Sequence, residues 1–284
     1  MDWSKAKTIL IVALIITNLV LGYFLFFDDI YANSTIEDSF IKKTEEVLNK
    51  KGIIIDTYLP IDTNATYNIS VEYEKYDPVL VNTNFFNGQG ELESKDSAFM
   101  EIYKENESIT IINDKLIIYE NVGVLNDKGI TTLELAIKEA MDFLQIRGKI
   151  DTNSNDMELS YYRETIEGYY LVYTKVVNDL YIENSFTTFR IEKGGVRKME
   201  RTWLNVNEIE VTNLEIVSAP KAILELLSME QVYNKTISDV SLCYYFDPER
   251  QDYFGEYQGA TEGKAIPAWR VQFKDGYKVI LDIN

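Results

Sequence analysis

Any catalysis by this chain would have to proceed without histidine. The sequence contains none, which removes the commonest general base and the commonest transition-metal ligand together. Ser-His and Cys-His pairs are excluded with them. The one cysteine, Cys243, permits no intramolecular disulfide and lies in the apolar run "SLCYYF". It is expected to be a buried small hydrophobe. Carboxylates number 46, and two of them suffice for glycoside hydrolysis, but among so many no spacing stands out. "DTNSNDME" (151–158) sets Asp151, Asn153 and Asn155 at alternate positions, as a calcium loop begins. Such a loop needs Gly sixth and a bidentate Glu twelfth. Asp156 and Tyr162 stand there instead, so a polar turn leaving a helix is the better reading. Asn87-Gly88-Gln89-Gly90 lacks the Lys-Ser/Thr and the following helix of a phosphate loop. Trp203, Trp269 and the tyrosines are candidates for stacking on sugars, although in alternating strands such rings more often pack in the core. Arg270, beside Trp269, is a candidate partner for a buried carboxylate. No catalytic, metal or cofactor-binding residue is assigned.

The elements that would position these residues can be read from periodicity. Aromatics make up 13% of the chain, with 20 Tyr, a composition that favours strands. Three amphipathic helices are expected, at 36–51, 132–147 and 219–229. The first carries Ile36, Phe40, Thr44, Val47 and Leu48 on one face, Ser34 and Glu37 as a capping box and Gly52 as its stop. The second has Thr131 and Glu134 as its box, Leu133, Ile137, Ala140, Met141 and Leu144 as its stripe, and Gly148 as its end. The third takes Ser218 as its cap and Pro220 in its first turn. Hairpin turns are expected at Asn113-Asp114, Asn178-Asp179, Gly194-Gly195 and Asp275-Gly276. Strands in adjacent runs with few helices read as α+β, with antiparallel sheets each packed by a helix. A helix-then-meander order recurs at 36–119 and 131–206, with a shorter copy at 218–284. "ENVGVLNDKG" (120–129) and "NVNEIEVTN" (205–213) are candidate boundaries, and "FNGQGELESKDS" reads as an exposed loop. The exterior part divides into α+β modules at 28–125 and 126–284.

The opening differs in kind. Ile9 to Phe27 holds 19 consecutive uncharged residues, enough to span a hydrocarbon layer. Lys5 and Lys7 precede it, and Asp28 and Asp29 follow. Residues 1–8 are therefore expected in the cytoplasm and the remainder outside. The long apolar core ends in "YFLFF" without a small-residue cleavage pattern, so the segment reads as an uncleaved anchor. Asn18 lies mid-span and shares a face with Leu14 and Gly22. Its amide either bonds a neighbouring helix or bonds locally to backbone, and spacing alone leaves both open. The net charge of −18 repels phosphate backbones, which argues against nucleic-acid binding.

The start "MDWSKAKTILIVALIITNLVLGYFLF" resembles that of the YycI (WalI) family of regulatory membrane proteins. "EIVSAPKAILELL" (215–227), "LCYYF" (242–246) and "IPAWRV" (266–271) are similar to the same family, in the same order. Cys243 stands where a small, Gly-like residue is expected. The resemblance implies a YycH/YycI-like α+β exterior behind one transmembrane helix, with no catalysis. It implies action, together with a YycH-like accessory protein, on a WalK-like sensor histidine kinase that controls cell-wall metabolism. It also favours Leu14, Asn18 and Gly22 as a transmembrane interface with that kinase. Two alternatives remain: an anchored sensor binding glycans or peptides through exposed aromatics, and an anchored hydrolase acting through carboxylates.

Overall fold

Asn113 and Asp114 both adopt left-handed backbone (φ 51° and 56°), as do Asn178 and Asp179 (φ 51° and 62°). Two such residues in succession twist a two-residue turn to match the flanking strands, so each pair closes a hairpin at its expected place. The computed structural model describes residues 14–15, 17–18, 39–61, 64–152, 156–248 and 261–281.

The strands run in chain order as β1 (Ile54–Ile55), β2 (Asn64–Tyr73), β3 (Glu91–Asp96), β4 (Phe99–Lys104), β5 (Glu107–Ile112), β6 (Leu116–Asn121), β7 (Met157–Glu164), β8 (Gly168–Val177), β9 (Leu180–Glu192), β10 (Gly195–Thr202), β11 (Leu204–Glu215), β12 (Thr236–Tyr245), β13 (Glu262–Phe273) and β14 (Lys278–Leu281). The architecture is α+β, dominated by one large sheet. Its main path is β11-β2-β13-β12-β9-β10-β6-β5-β4-β3, with β8 also on β9 and β7 beyond β8. Most neighbours are antiparallel, as expected. Among the described residues two pairs are parallel, β12 with β9 and β1 with β12, and neither was anticipated. β6 pairs with β10, Glu120 opposite Lys198, so strands from both sides of residue 125 lie in one sheet. β13 changes partner along its length. Glu262–Ala265 pair with β2, and Trp269–Gln272 with β14. Pro267 sits between those two runs, where a missing ladder donor costs least.

The helices are 39–49 (α1), Pro78–Phe86 (α2), Leu133–Asp142 (α3) and Ala219–Ala222 (α4). In α1, Thr44 and Leu48 are buried, while Phe40 and Val47 are exposed. Ser34, Ile36 and Glu37 lie outside the described residues. The cap of α3 is Thr132, not Thr131, accepting from Leu135 N at 3.4 Å. This helix is shorter than expected, because Phe143–Gly148 widens into a π-helix closed by Lys149 at φ 55° rather than by Gly148. The expected third helix is α-helical only at Ala219–Ala222 and continues as 3-10 turns over Ile223–Ser228. Ser218 occupies its cap position but makes no side-chain bond.

Other expectations are corrected outright. α2 was not anticipated. The second half of "FNGQGELESKDS" is strand β3, every residue of it exposed. The candidate boundary 205–213 is the interior of β11, paired with β2. The turn placed at Gly194-Gly195 falls at Lys193-Gly194, since Glu192 pairs with Gly195.

Two large cores follow. α2, α3 and the π-helix supply Phe85, Phe86, Ala140, Phe143 and Leu144 to a core with Ile102, Tyr119, Leu171 and Phe189 of the sheet. α1, α4 and the 3-10 turns supply Leu48, Ala222, Ile223 and Leu226 to a second core with Ile237, Trp269 and Phe273. Ile69, Val71, Ile182, Leu204 and Tyr244 pack together at the seam near β2.

Candidate functional site

Of the residues assigned to a transmembrane interface, Leu14 and Asn18 are helical and exposed. Gly22 and most of 9–27 lie outside the described residues. Among the described residues no helix is long and apolar enough to cross a membrane.

In the folded part, Arg147 projects from the π-helix into the wall of a cavity of about 500 Å³, which Tyr119, Asn121, Lys128, Phe143 and Gly195 also line. The widened turn, a geometry often found at functional positions, carries its guanidinium to Glu107 on β5. Nη1 donates to Oε1 and Nη2 to Oε2, each at 2.8 Å, and Nη2 also donates to Phe85 O at 2.9 Å. The rings of Tyr119, Phe143 and Phe86 surround the cation, and Tyr119 Oη donates to Glu107 Oε1 at 2.7 Å. Burial alone would push the Glu107 carboxyl up, but its bonds from Arg147 and Tyr119 win and hold it low. The Tyr119 phenol is pushed up by burial and by the adjacent carboxylate. A carboxylate stabilised as the anion is a poor base, and a phenol stabilised as the neutral form is a poor nucleophile. The arrangement is a clamp between the π-helix, α2 and β5. Sequence reasoning did not single out any of these residues, because they come together from positions 85, 107, 119 and 147.

The expectation for Arg270 is met. It is buried on β13, with Nε 2.9 Å from Oε1 of the equally buried Glu183 on β9. That N–H is not aligned on the oxygen, and both atoms lack a hydrogen bond, so the contact is an ion pair. Nη1 donates to Asp239 Oδ2 at 2.9 Å and Nη2 to Gln272 Oε1 at 2.8 Å. Lys278 on β14 donates to the other oxygen of Glu183. The cluster thus ties β9, β12, β13 and β14 together, across the parallel pairing. Cys243 is fully buried, as expected, and burial pushes its thiol well up.

Neither tryptophan offers an exposed stacking face. Trp269 is fully buried and donates through Nε1 to Val217 O at 2.6 Å. Trp203 is 5% exposed, with Arg201 4.2 Å and Lys175 5.2 Å from its ring centre. The glycan-stacking alternative thus loses both tryptophans, while Tyr58 and Tyr162 among its tyrosines are exposed. In the 151–158 stretch, residues 153–155 lie outside the described set, and Asp156 accepts from Lys175 at 2.5 Å. Among the described residues no three potential metal ligands cluster.

Three stretches far apart in sequence converge here. In 215–227, Val217 accepts the Trp269 bond, while Ala219, Ala222, Ile223 and Leu226 share a core with Trp269 and Val271 of 266–271. The 242–246 stretch pairs directly with the third, Cys243 opposite Ala268 and Tyr245 opposite Ile266.

No protein-family model matches the chain, and no curated protein does. Among solved structures it is similar to an uncharacterized protein from Eubacterium rectale, at 11% identity and TM-score 0.49, covering 81% of this chain and 86% of that one. It is also similar to the YpeB C-terminal domain of Bacillus megaterium, at 11% identity and TM-score 0.39, covering 74% and 94%. A third is YycH from Bacillus subtilis, at 12% identity and TM-score 0.45. That match covers 75% of this chain and 52% of YycH, so the chain spans about half of YycH's length.

Proposed function

We propose that this chain is a non-enzymatic, membrane-anchored regulator of a WalK-like sensor histidine kinase, acting with a YycH-like accessory protein. The observation that carries the reading is the convergence of 215–227, 242–246 and 266–271 in one corner of the fold. Their similarity to the YycI family is then that of a packed unit, not of three unrelated short strings. The uncharged run from Ile9 to Phe27 supplies the anchor, with its N-terminus cytoplasmic and the α+β part outside.

The membrane helix regulates by binding one kinase state better than the other. Leu14, Asn18 and Gly22 form its contact face. An interhelical hydrogen bond from an amide in lipid contributes about 1 kcal/mol, so Asn18→Leu is expected to weaken association with the kinase roughly fivefold while insertion persists. The decisive experiment is co-purification from membranes. The full chain is compared with one whose first 27 residues are replaced by an unrelated anchor. Loss of the kinase from the pull-down, with altered output of its target genes, supports the reading. Full signalling from the foreign anchor refutes it.

A further inference from the structure

Among the described residues α1 leaves one stripe of its surface open. Thr44 and Leu48 are buried, and Ile41 packs half-buried against the second core. Phe40, Lys43 and Val47, with Lys50 in the turn that follows, recur at the spacing of one helix face. All four are exposed, Phe40 by 39% and Val47 by 36%. A flank that sets large apolar side chains beside lysines suits a lipid–water interface, where the apolar groups enter the headgroup layer and the lysine stems reach phosphates. Residues 39–51 carry four lysines and two glutamates in a chain of net −18, so the helix is locally positive where the whole is not. Eleven residues, 28–38, join it to the end of the uncharged run at Phe27. Fully extended, they reach no further than about 40 Å.

We infer that the stripe Phe40–Lys43–Val47–Lys50 docks on the outer surface of the membrane, against phospholipid headgroups that include an anionic fraction. This contact rests on the reading of 9–27 as an anchor. The anchor keeps α1 within reach of the bilayer, so docking is an intramolecular event and needs little affinity of its own. Asp28, Asp29, Glu37 and Asp38 oppose an anionic surface, so the apolar pair is required as well as the lysines. Because Leu48 of the same helix lies in the second core, a docked α1 sets the orientation of the α+β part above the membrane.

The test uses the full chain reconstituted into vesicles of phosphatidylcholine with roughly a quarter phosphatidylglycerol. A fluorophore is placed at Val47→Cys, with Phe40→Cys as a second site. Glu93→Cys is the control, exposed on β3 at the far end of the sheet path. Brief labelling spares Cys243, which is buried. Quenching by nitroxide carried on the lipid headgroups or upper chains is expected at 47 and 40 and not at 93. Lys43→Gln with Lys50→Gln is expected to lower the docked-to-free ratio roughly thirtyfold, about fivefold for each lysine. Retention of the chain through an alkaline wash without quenching at 47 or 40 overturns the docking and leaves the anchor standing. Equal quenching at 93, or quenching indifferent to the two lysine changes, overturns it as well. So does a contact at 47 that forms only as the protein-to-lipid ratio rises, which would mean a second copy. Release of the chain in the wash overturns the anchor and the docking together.

Discussion

Glu183→Gln removes one charge from the centre of the buried cluster and changes the side-chain shape little. Glu183 is 4% exposed and meets two cations, Arg270 at 2.9 Å and Lys278. Deleting one partner of a buried pair costs about 3–5 kcal/mol, chiefly because the other charge is left uncompensated. Here Arg270 keeps Asp239 and Gln272, and Lys278 is only partly buried and can turn to water. The cost therefore belongs at the low end, about 3 kcal/mol. For a chain of this size each kcal/mol moves the melting temperature by about 2–4 °C, so a drop of roughly 6–12 °C is expected in a calorimetric or near-ultraviolet melt. Glu210→Gln is the control. It breaks the exposed Lys264–Glu210 pair, worth at most about 1 kcal/mol. Glu183→Leu with Arg270→Met should be less destabilised than the sum of the single changes, because neither orphan remains. A shift under about 2 °C for Glu183→Gln, equal to the control, would refute the view that this cluster holds β9 to β13.

Acid should loosen the Arg147 clamp. The Glu107 carboxyl is held below its ordinary value, so its contribution is present above the unfolded-state value of about 4.3 and is lost as pH falls through the folded one. Melting temperatures measured from pH 6 to pH 3 should fall more steeply in the native chain than in Glu107→Gln, and equal slopes would count against the clamp. Cys243, buried with its thiol pushed up, should react with a disulfide reagent near pH 8 only as fast as the protein opens. Stoichiometric labelling in the dead time would contradict that burial.

What the sequence made legible was local. Asn113-Asp114 and Asn178-Asp179 close their hairpins because left-handed φ at both central residues is a local preference of those residue types. The expected stripe through α3 and the π-helix holds: Ala140 and Leu144 are buried, and Leu133, Ile137 and Met141 pack half-buried against the same core. α2 went unread because Val79, Val81, Phe85 and Phe86 look strand-like. Its signals were nonetheless present: Asp77 caps it through Leu80 N at 2.8 Å, Pro78 occupies its first turn, and Asn87 ends it at φ 53°. Asn82, buried inside it, bonds both the N–H and the carbonyl of Gly90. A Cβ at Gly90 would come within 3.0 Å of Ile102, Asn82 and Phe86, so the helix needs a glycine eight residues downstream. No window of local pattern reveals that coupling. The parallel pairing of β12 with β9 was illegible for the same reason, since it joins Cys243 to Tyr181.

The charged sites show where sequence reasoning stops and what the fold adds. Arg270 was picked out with a carboxylate partner in mind, but nothing near it in sequence named Glu183. Arg147 and Arg201 were not picked out at all. Each of the three arginines joins strand to strand, helix to strand or strand to loop through a carboxylate distant in sequence: Glu183, Glu107 and Glu74. In a chain with 46 acids and 28 bases every arginine has carboxylates to choose from, so composition carries no information about the choice. Geometry does. Arg147 donates through both terminal nitrogens to Glu107, and Arg270 donates through both of its own to Asp239 and Gln272 while its Nε lies against Glu183, so each clamps the fold. Arg201 is buried more deeply than Arg147, and its Nη1 and Nη2 donate to Thr187 and Glu74 while its guanidinium lies on the Trp203 ring. All three thus hold together segments that no local pattern connects.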